Sequence, residues 1–122
     1  MRIFDDGSLI MAGLINNHMK EITVLELKQK LDEGEDFQLI DVRETFEYET
    51  SNLKGLNIPL AQVLLEQEKI SKDKPVVIHC RSGKRSAQAI RLLENAGYTN
   101  LSNLEGGILA WKEQYDPDMQ VY

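Results

Sequence analysis

The sequence predicts an α/β fold: a central parallel sheet with helices on both faces. Two observations carry that expectation. Short apolar runs of strand length alternate along the chain with segments of helical spacing, the order that builds a parallel sheet covered on both sides. The strongest run, Val76-Val77-Ile78, is β-branched throughout, which suits a pleated and buried setting.

The elements follow in order. Thr23 and Glu26 are spaced as a capping box and open a helix. Leu27 and Leu31, one turn apart, are expected on its buried face, and Gly34 is placed to stop it. Phe37 to Val42 reads as a buried strand. Glu44 to Thr50 reads as a helical turn. Asn57-Ile58 reads as a short strand ended by Pro59, and Leu60 to Gln67 as another helix. Pro75 precedes the Val76–Ile78 strand. From Ser86 to Ala96 the apolar positions Ala87, Ile90, Leu93 and Ala96 keep helical spacing, with Gly97 where a C-cap belongs. Asn100 to Leu104 is a last strand, Gly106-Gly107 a turn, Ile108 to Tyr115 a last helix, and the tail through Pro117 irregular. No internal repeat is visible.

Composition narrows the function. A chain of 122 residues suits one domain with a real hydrophobic core. A net charge of -6 argues against general affinity for nucleic acid or an anionic membrane. Cys80 is the single cysteine, so neither an intramolecular disulfide nor a multi-cysteine metal site can form. His18 and His79 are far apart, and no metal site is expected. A lone thiol suits a reducing compartment, and a cytoplasmic location is expected. The apolar run Leu9 to Ile15 is too short to span a membrane and lacks a basic flank, so a signal peptide is not expected. Residues 1–18 read as an extension, flexible or left from cloning at His18-Met19, ahead of a single domain over residues 19–122.

Ligands of such sheets bind outside the carboxyl ends of the strands. That rule points to Asp41-Val42-Arg43 and to the segment after Ile78. The latter, His79-Cys80-Arg81-Ser82-Gly83-Lys84-Arg85-Ser86, leaves a buried strand and enters a helix. Successive backbone N–H groups there can curl into a nest that binds an anion at the helix N-terminus. A cysteine at its rim is stabilised as thiolate, the reactive form, by those N–H groups and by three nearby cations. Gly83 supplies unusual backbone angles, and Ser82 and Ser86 are candidate helix caps. A cysteine in this setting could instead be a small buried hydrophobe. Three cations at a helix N-terminus cost about 0.3–1 kcal/mol each, however, a penalty that an anionic ligand reverses. Cys80 is therefore the candidate nucleophile, with Arg81, Ser82, Gly83, Lys84 and Arg85 as the anion-binding loop. His79 is expected to be structural, pointing to the opposite face from Cys80. Asp41 and Arg43 could support the loop, or simply end a strand. Trp111 is expected in the core.

These residues resemble a known family. Leu39 to Glu44, Glu47-Tyr48 and Gly55 to Leu60 are similar to the first signature of rhodanese-like domains. Val76 to Arg85 is similar to their active-site strand and loop, and Gly97-Tyr98, Leu104 to Ile108 and Ala110-Trp111 to the closing signature. The match runs over roughly residues 20–115 in the family's order. The resemblance implies an α/β fold around a parallel sheet. It implies a sulfurtransferase whose cysteine takes a sulfane sulfur as a persulfide and passes it on, with no cofactor. The donor would be thiosulfate or a persulfide, and the acceptor cyanide or a thiol. Ser51-Asn52 stand where family members often carry Gly-His, a departure expected to have local consequences.

Two rival classes remain. Cysteine phosphatases use a similar loop, but five residues separate their cysteine and arginine, whereas four separate Cys80 from Arg85; arsenate reduction by a similar loop is the companion alternative. The smaller ring suits one sulfur atom better than a tetrahedral phosphate. The other rival is a sulfur-relay or binding module that acts only with a partner protein.

Overall fold

The computed structural model describes residues 19–122. The Leu9–Ile15 run and His18 lie outside the described residues. Five strands form one parallel sheet: β1 (Glu21–Ile22), β2 (Gln38–Asp41), β3 (Leu56–Asn57), β4 (Val76–His79) and β5 (Leu101–Leu104), in the order β1-β5-β4-β2-β3. Among the described residues the α-helices are α1 (Val24–Asp32), α2 (Thr45–Thr50), α3 (Lys84–Asn95) and α4 (Gly107–Tyr115). All strand pairs are parallel, so the expected α/β architecture is the one observed. Strand β1 escaped the sequence reading because two residues carry no periodic signal.

Each face of the sheet has its own apolar layer. On one, Ile40, Ile78, Ala89, Ile90 and Leu93 pack with Val63, Ile70 and Tyr98, so α3 and the 60–70 segment cover this side. On the other, Ile22, Leu27, Val77 and Leu104 pack with Trp111 and Tyr115, so α1 and α4 cover that side. Val77 and Ile78 point to opposite layers, as the period of a strand requires. Trp111 is partly buried, and its ring lies 4.8 Å from that of Tyr115.

Helix α1 starts on the expected box. Thr23 N donates to Glu26 Oε1 at 2.8 Å, and Glu26 N donates to Thr23 Oγ1 at 3.1 Å. Gly34, with φ of 65°, follows its end. Leu31 is not buried: it is 41% exposed, because the last turn of α1 overhangs an open groove rather than the sheet. The stretch 60–67 is not a helix either. Two short 3-10 turns, Leu60–Gln62 and Gln67–Lys69, replace it. Its apolar residues do not share a face: Val63 is buried, whereas Leu64 is 43% and Leu65 82% exposed. In α3 the buried stripe is Ser86, Ala89, Ile90 and Leu93, with Ala96 exposed, so a serine takes the place expected for an alanine.

Register sets the site. Asp41 lies opposite His79, and Ile78 opposite Asn103. The carboxyl ends of β2, β4 and β5 thus bring Asp41, His79, Asn103 and the following Cys80 to one edge.

Candidate active site

Cys80 follows β4 directly and is 1% exposed. The chain then turns through Arg81, Ser82 and Gly83 into α3. Gly83 occupies the N-cap in the left-handed region, with φ of 113°. That angle favours glycine, and it turns the Gly83 N–H back onto Cys80 Sγ at 3.1 Å. The serines do not cap α3, because Gly83 itself holds that position. Ser82 is exposed, and Ser86 points inward from the first turn. Ser86 Oγ lies 3.4 Å from Cys80 Sγ, 3.1 Å from the Gly83 carbonyl and 2.6 Å from Asn103 Oδ1.

Two opposed effects act on the thiol. Burial raises its pKa, but the Ser86 hydroxyl and the backbone N–H groups of Ser86, Gly83 and Ser82 outweigh it, and the net shift is downward. The thiolate is thus favoured by hydrogen-bond donors aimed at sulfur. The expectation named both these N–H groups and three nearby cations; the N–H groups act on the sulfur as expected, whereas two of the cations have partners of their own. Arg85 makes a two-pronged pair with Glu47, at 2.7 Å to Oε1 and 3.0 Å to Oε2. Arg81 Nε donates to the Tyr122 carbonyl at 2.7 Å. Lys84 is exposed.

Helix α4 holds the loop from behind. The N–H groups of Ile108 and Leu109 donate to the carbonyls of Cys80 and Arg81 at 2.9 and 3.1 Å. The approach requires glycine at 107, where a Cβ would lie 2.4 Å from the Arg81 carbonyl oxygen. The Gly106-Gly107 turn is thus part of the site.

Asp41 and Arg43 form a fully buried ion pair, with Arg43 Nη2 2.8 Å from Asp41 Oδ2. Arg43 also donates to the Ser51 carbonyl at 2.8 Å. His79 stands between the pair and the loop: its Nε2 is 3.7 Å from Asp41 Oδ2 and its Nδ1 is 3.4 Å from the Cys80 carbonyl. Burial pushes the His79 pKa down, against the attraction of Asp41, so this side chain is neutral near pH 7. Asn52, in the departure from the family pattern, closes a turn locally: its amide donates to the Tyr48 carbonyl at 3.0 Å and its oxygen accepts from Lys54 N at 2.8 Å.

The sequence reading missed Glu47 and Asn103 as site residues. Glu47 carried two signals, its place in the Glu47-Tyr48 part of the first signature and its position three residues after Glu44, where its Oε1 accepts from Glu44 N at 2.9 Å. Asn103 carried none beyond being polar in a buried strand. The C-terminal tail also borders the site: Ser51 Oγ donates to the Gln120 carbonyl, and the rings of Phe46 and Tyr122 lie 6.1 Å apart.

The family model described as "Rhodanese-like domain" matches residues 23–114. A protein named sulfurtransferase from Allochromatium vinosum is 39% identical over 94 residues, 76% of this chain and 88% of that protein. The probable adenylyltransferase/sulfurtransferase MoeZ of Mycobacterium tuberculosis is 36% identical over 104 residues, 83% of this chain but 26% of that protein. This chain therefore spans about a quarter of MoeZ. The crystal structure of a rhodanese-like domain protein from Staphylococcus aureus superposes with a TM-score of 0.73 at 32% identity, covering 85% of this chain and 99% of that one. The chain belongs to the rhodanese-like domain family. Among the described residues no helix is long and apolar enough to cross a membrane.

Proposed function

We propose that this protein is a rhodanese-type sulfurtransferase that carries sulfane sulfur as a persulfide on Cys80. One observation carries the reading. Cys80 Sγ lies inside a tight ring of donors, with the Gly83 N–H at 3.1 Å and Ser86 Oγ at 3.4 Å, at the N-terminus of a 12-residue helix. Such a ring stabilises a single anionic sulfur. Membership in the family and the name of the relative from Allochromatium vinosum support the same chemistry.

The reaction is covalent catalysis in two displacements. The Cys80 thiolate attacks the outer sulfur of thiosulfate or of a persulfide. A new S–S bond forms, the donor's S–S bond breaks, and sulfite or a thiolate leaves with the electron pair. Cyanide or a thiol then attacks the outer sulfur of the Cys80 persulfide. Thiocyanate or a new persulfide forms, and the Cys80 thiolate is regenerated. Backbone N–H groups and Ser86 hold the negative charge throughout. Around an anionic donor, exposed Lys84 supplies a free positive charge, Arg81 lies at the rim beside the Tyr122 carbonyl, and Arg85 acts as one half of its pair with Glu47, while Asp41 and Arg43 brace the loop through His79. The lone thiol works in a reducing compartment, which we take to be the cytoplasm. A sulfur-relay protein is the natural acceptor.

The test is sulfur transfer from thiosulfate and from a small-molecule persulfide by the wild type and by Cys80→Ala, beside hydrolysis of an aryl phosphate. Transfer that depends on Cys80, without phosphate release, supports the reading. Aryl phosphate turnover without sulfur transfer contradicts it.

A further inference from the structure

The loop carries more formal positive charge than it presents to a donor. Arg85 closes the loop, and its guanidinium is gripped by both oxygens of Glu47. The Glu47 carboxylate cannot easily swing aside, because it is 6% exposed and Oε1 also accepts from Glu44 N. The pair is mutually reinforcing: the Arg85 hydrogen bond outweighs burial and pulls the Glu47 pKa down, and Glu47 raises that of Arg85. Arg85 is the second residue of α3, two positions after the Gly83 whose N–H reaches Cys80 Sγ. This cation at the mouth of the ring is therefore neutralised by its own carboxylate partner.

We infer that Glu47 is a donor-specificity residue, disfavouring dianionic donors such as thiosulfate relative to the persulfides of uncharged thiols. The inference rests on the sulfurtransferase reading above. Thiosulfate brings two negative charges to the rim of the ring. It must either share Arg85 with a fixed carboxylate or lie beside that carboxylate, and both weaken its binding. A persulfide on an uncharged organic thiol brings at most one negative charge, on the sulfur that the ring receives, so Glu47 costs it little. Both donors deliver the same sulfur to Cys80 and differ only in the leaving group, sulfite against thiolate.

The experiment compares kcat/KM for thiosulfate with kcat/KM for the persulfide of an uncharged alkyl thiol. Taking the ratio cancels any change in Cys80 ionisation. Glu47→Gln keeps the acceptor for Glu44 N and removes the charge, and its folding is checked by thermal unfolding. It is expected to raise the thiosulfate-to-persulfide ratio by roughly fivefold to tenfold, mainly through a lower KM for thiosulfate. Glu47→Asp, which keeps the charge, is expected to leave the ratio within about twofold of wild type. The double variant Glu47→Gln/Arg85→Gln removes both charges, folds without a lone one, and is expected to return the ratio toward wild type. A ratio that stays level or falls in Glu47→Gln, with recovery in Glu47→Asp, means that Glu47 only positions Arg85 and overturns the inference. If Glu47→Gln does not fold, a double variant with a strongly altered ratio overturns it in the same way. Failure of the wild type to load sulfur from either donor overturns the underlying reading along with it. Loading with an unchanged ratio overturns the inference alone.

Discussion

Ser86 Oγ stands between Cys80 Sγ, 3.4 Å away, and Asn103 Oδ1, 2.6 Å away. A hydroxyl has one proton to give, and the buried amide oxygen and the sulfur compete for it. When Cys80 is a thiol, Asn103 is the better acceptor by distance. When Cys80 ionises, the hydroxyl can turn to the charged sulfur. Ser86→Ala removes that donor, and the midpoint for thiolate formation moves up. A hydrogen bond to a charged group contributes about 1.5–3 kcal/mol, so alkylation of Cys80 at neutral pH is expected to slow by roughly tenfold. The pH dependence of the iodoacetamide rate, wild type against variant, checks this.

Gly107→Ala tests whether helix α4 holds the loop. The added methyl meets the carbonyl oxygens of Arg81 at 2.4 Å and Cys80 at 2.6 Å, and φ at this position is 60°. Overpacking costs about 1–3 kcal/mol, and the left-handed backbone adds about 1–2 kcal/mol for any residue with a Cβ. The variant is expected to lose at least about 2 kcal/mol in denaturant unfolding, together with most of its sulfur transfer, because the loop must shift.

The Asp41–Arg43 pair makes a prediction about stability rather than chemistry. Both side chains are fully buried. Asp41→Ala leaves a buried guanidinium without its counter-charge, which costs about 3–5 kcal/mol. Replacing both, as in Asp41→Asn/Arg43→Leu, leaves no lone charge and is expected to cost less than the single change. Urea unfolding of the three proteins gives the comparison.

His79 predicts how stability depends on pH. Burial holds its pKa below that of a free histidine, with Asp41 acting the other way. As pH falls through about 6.5, the unfolded chain takes up a proton that the folded chain does not. Stability is therefore lost as pH falls through and below that range. Thermal unfolding between pH 8 and pH 5 is expected to show this loss, and His79→Gln is expected to flatten that part of the profile.

Much of this site could be read from the chain because it is local. Strand, cysteine, glycine and helix follow one another between Val76 and Asn95, so the cysteine's place at a strand end and a helix start follows from order alone. The partners of its cations were not legible. Glu47 lies 38 residues from Arg85 and Tyr122 lies 41 residues from Arg81, and no period or spacing reports a tertiary pair. Asn103 was hidden for the same reason, since only the β4–β5 register brings it beside the loop. The reading of 60–67 as a helix failed because five apolar residues close together fit helical spacing, while only Val63 among them is fully buried. Leu31 failed because a helix end can overhang an open groove of about 590 Å³, whose existence depends on neighbouring elements.

The most direct test of the central claim is the intact mass of the protein after incubation with thiosulfate or a persulfide, before and after addition of cyanide or a thiol. The account predicts a gain of one sulfur atom, located on Cys80 by fragmentation and removed by the acceptor as thiocyanate or a new persulfide. A protein whose mass stays unchanged with both donors, in its fully reduced form, would contradict it.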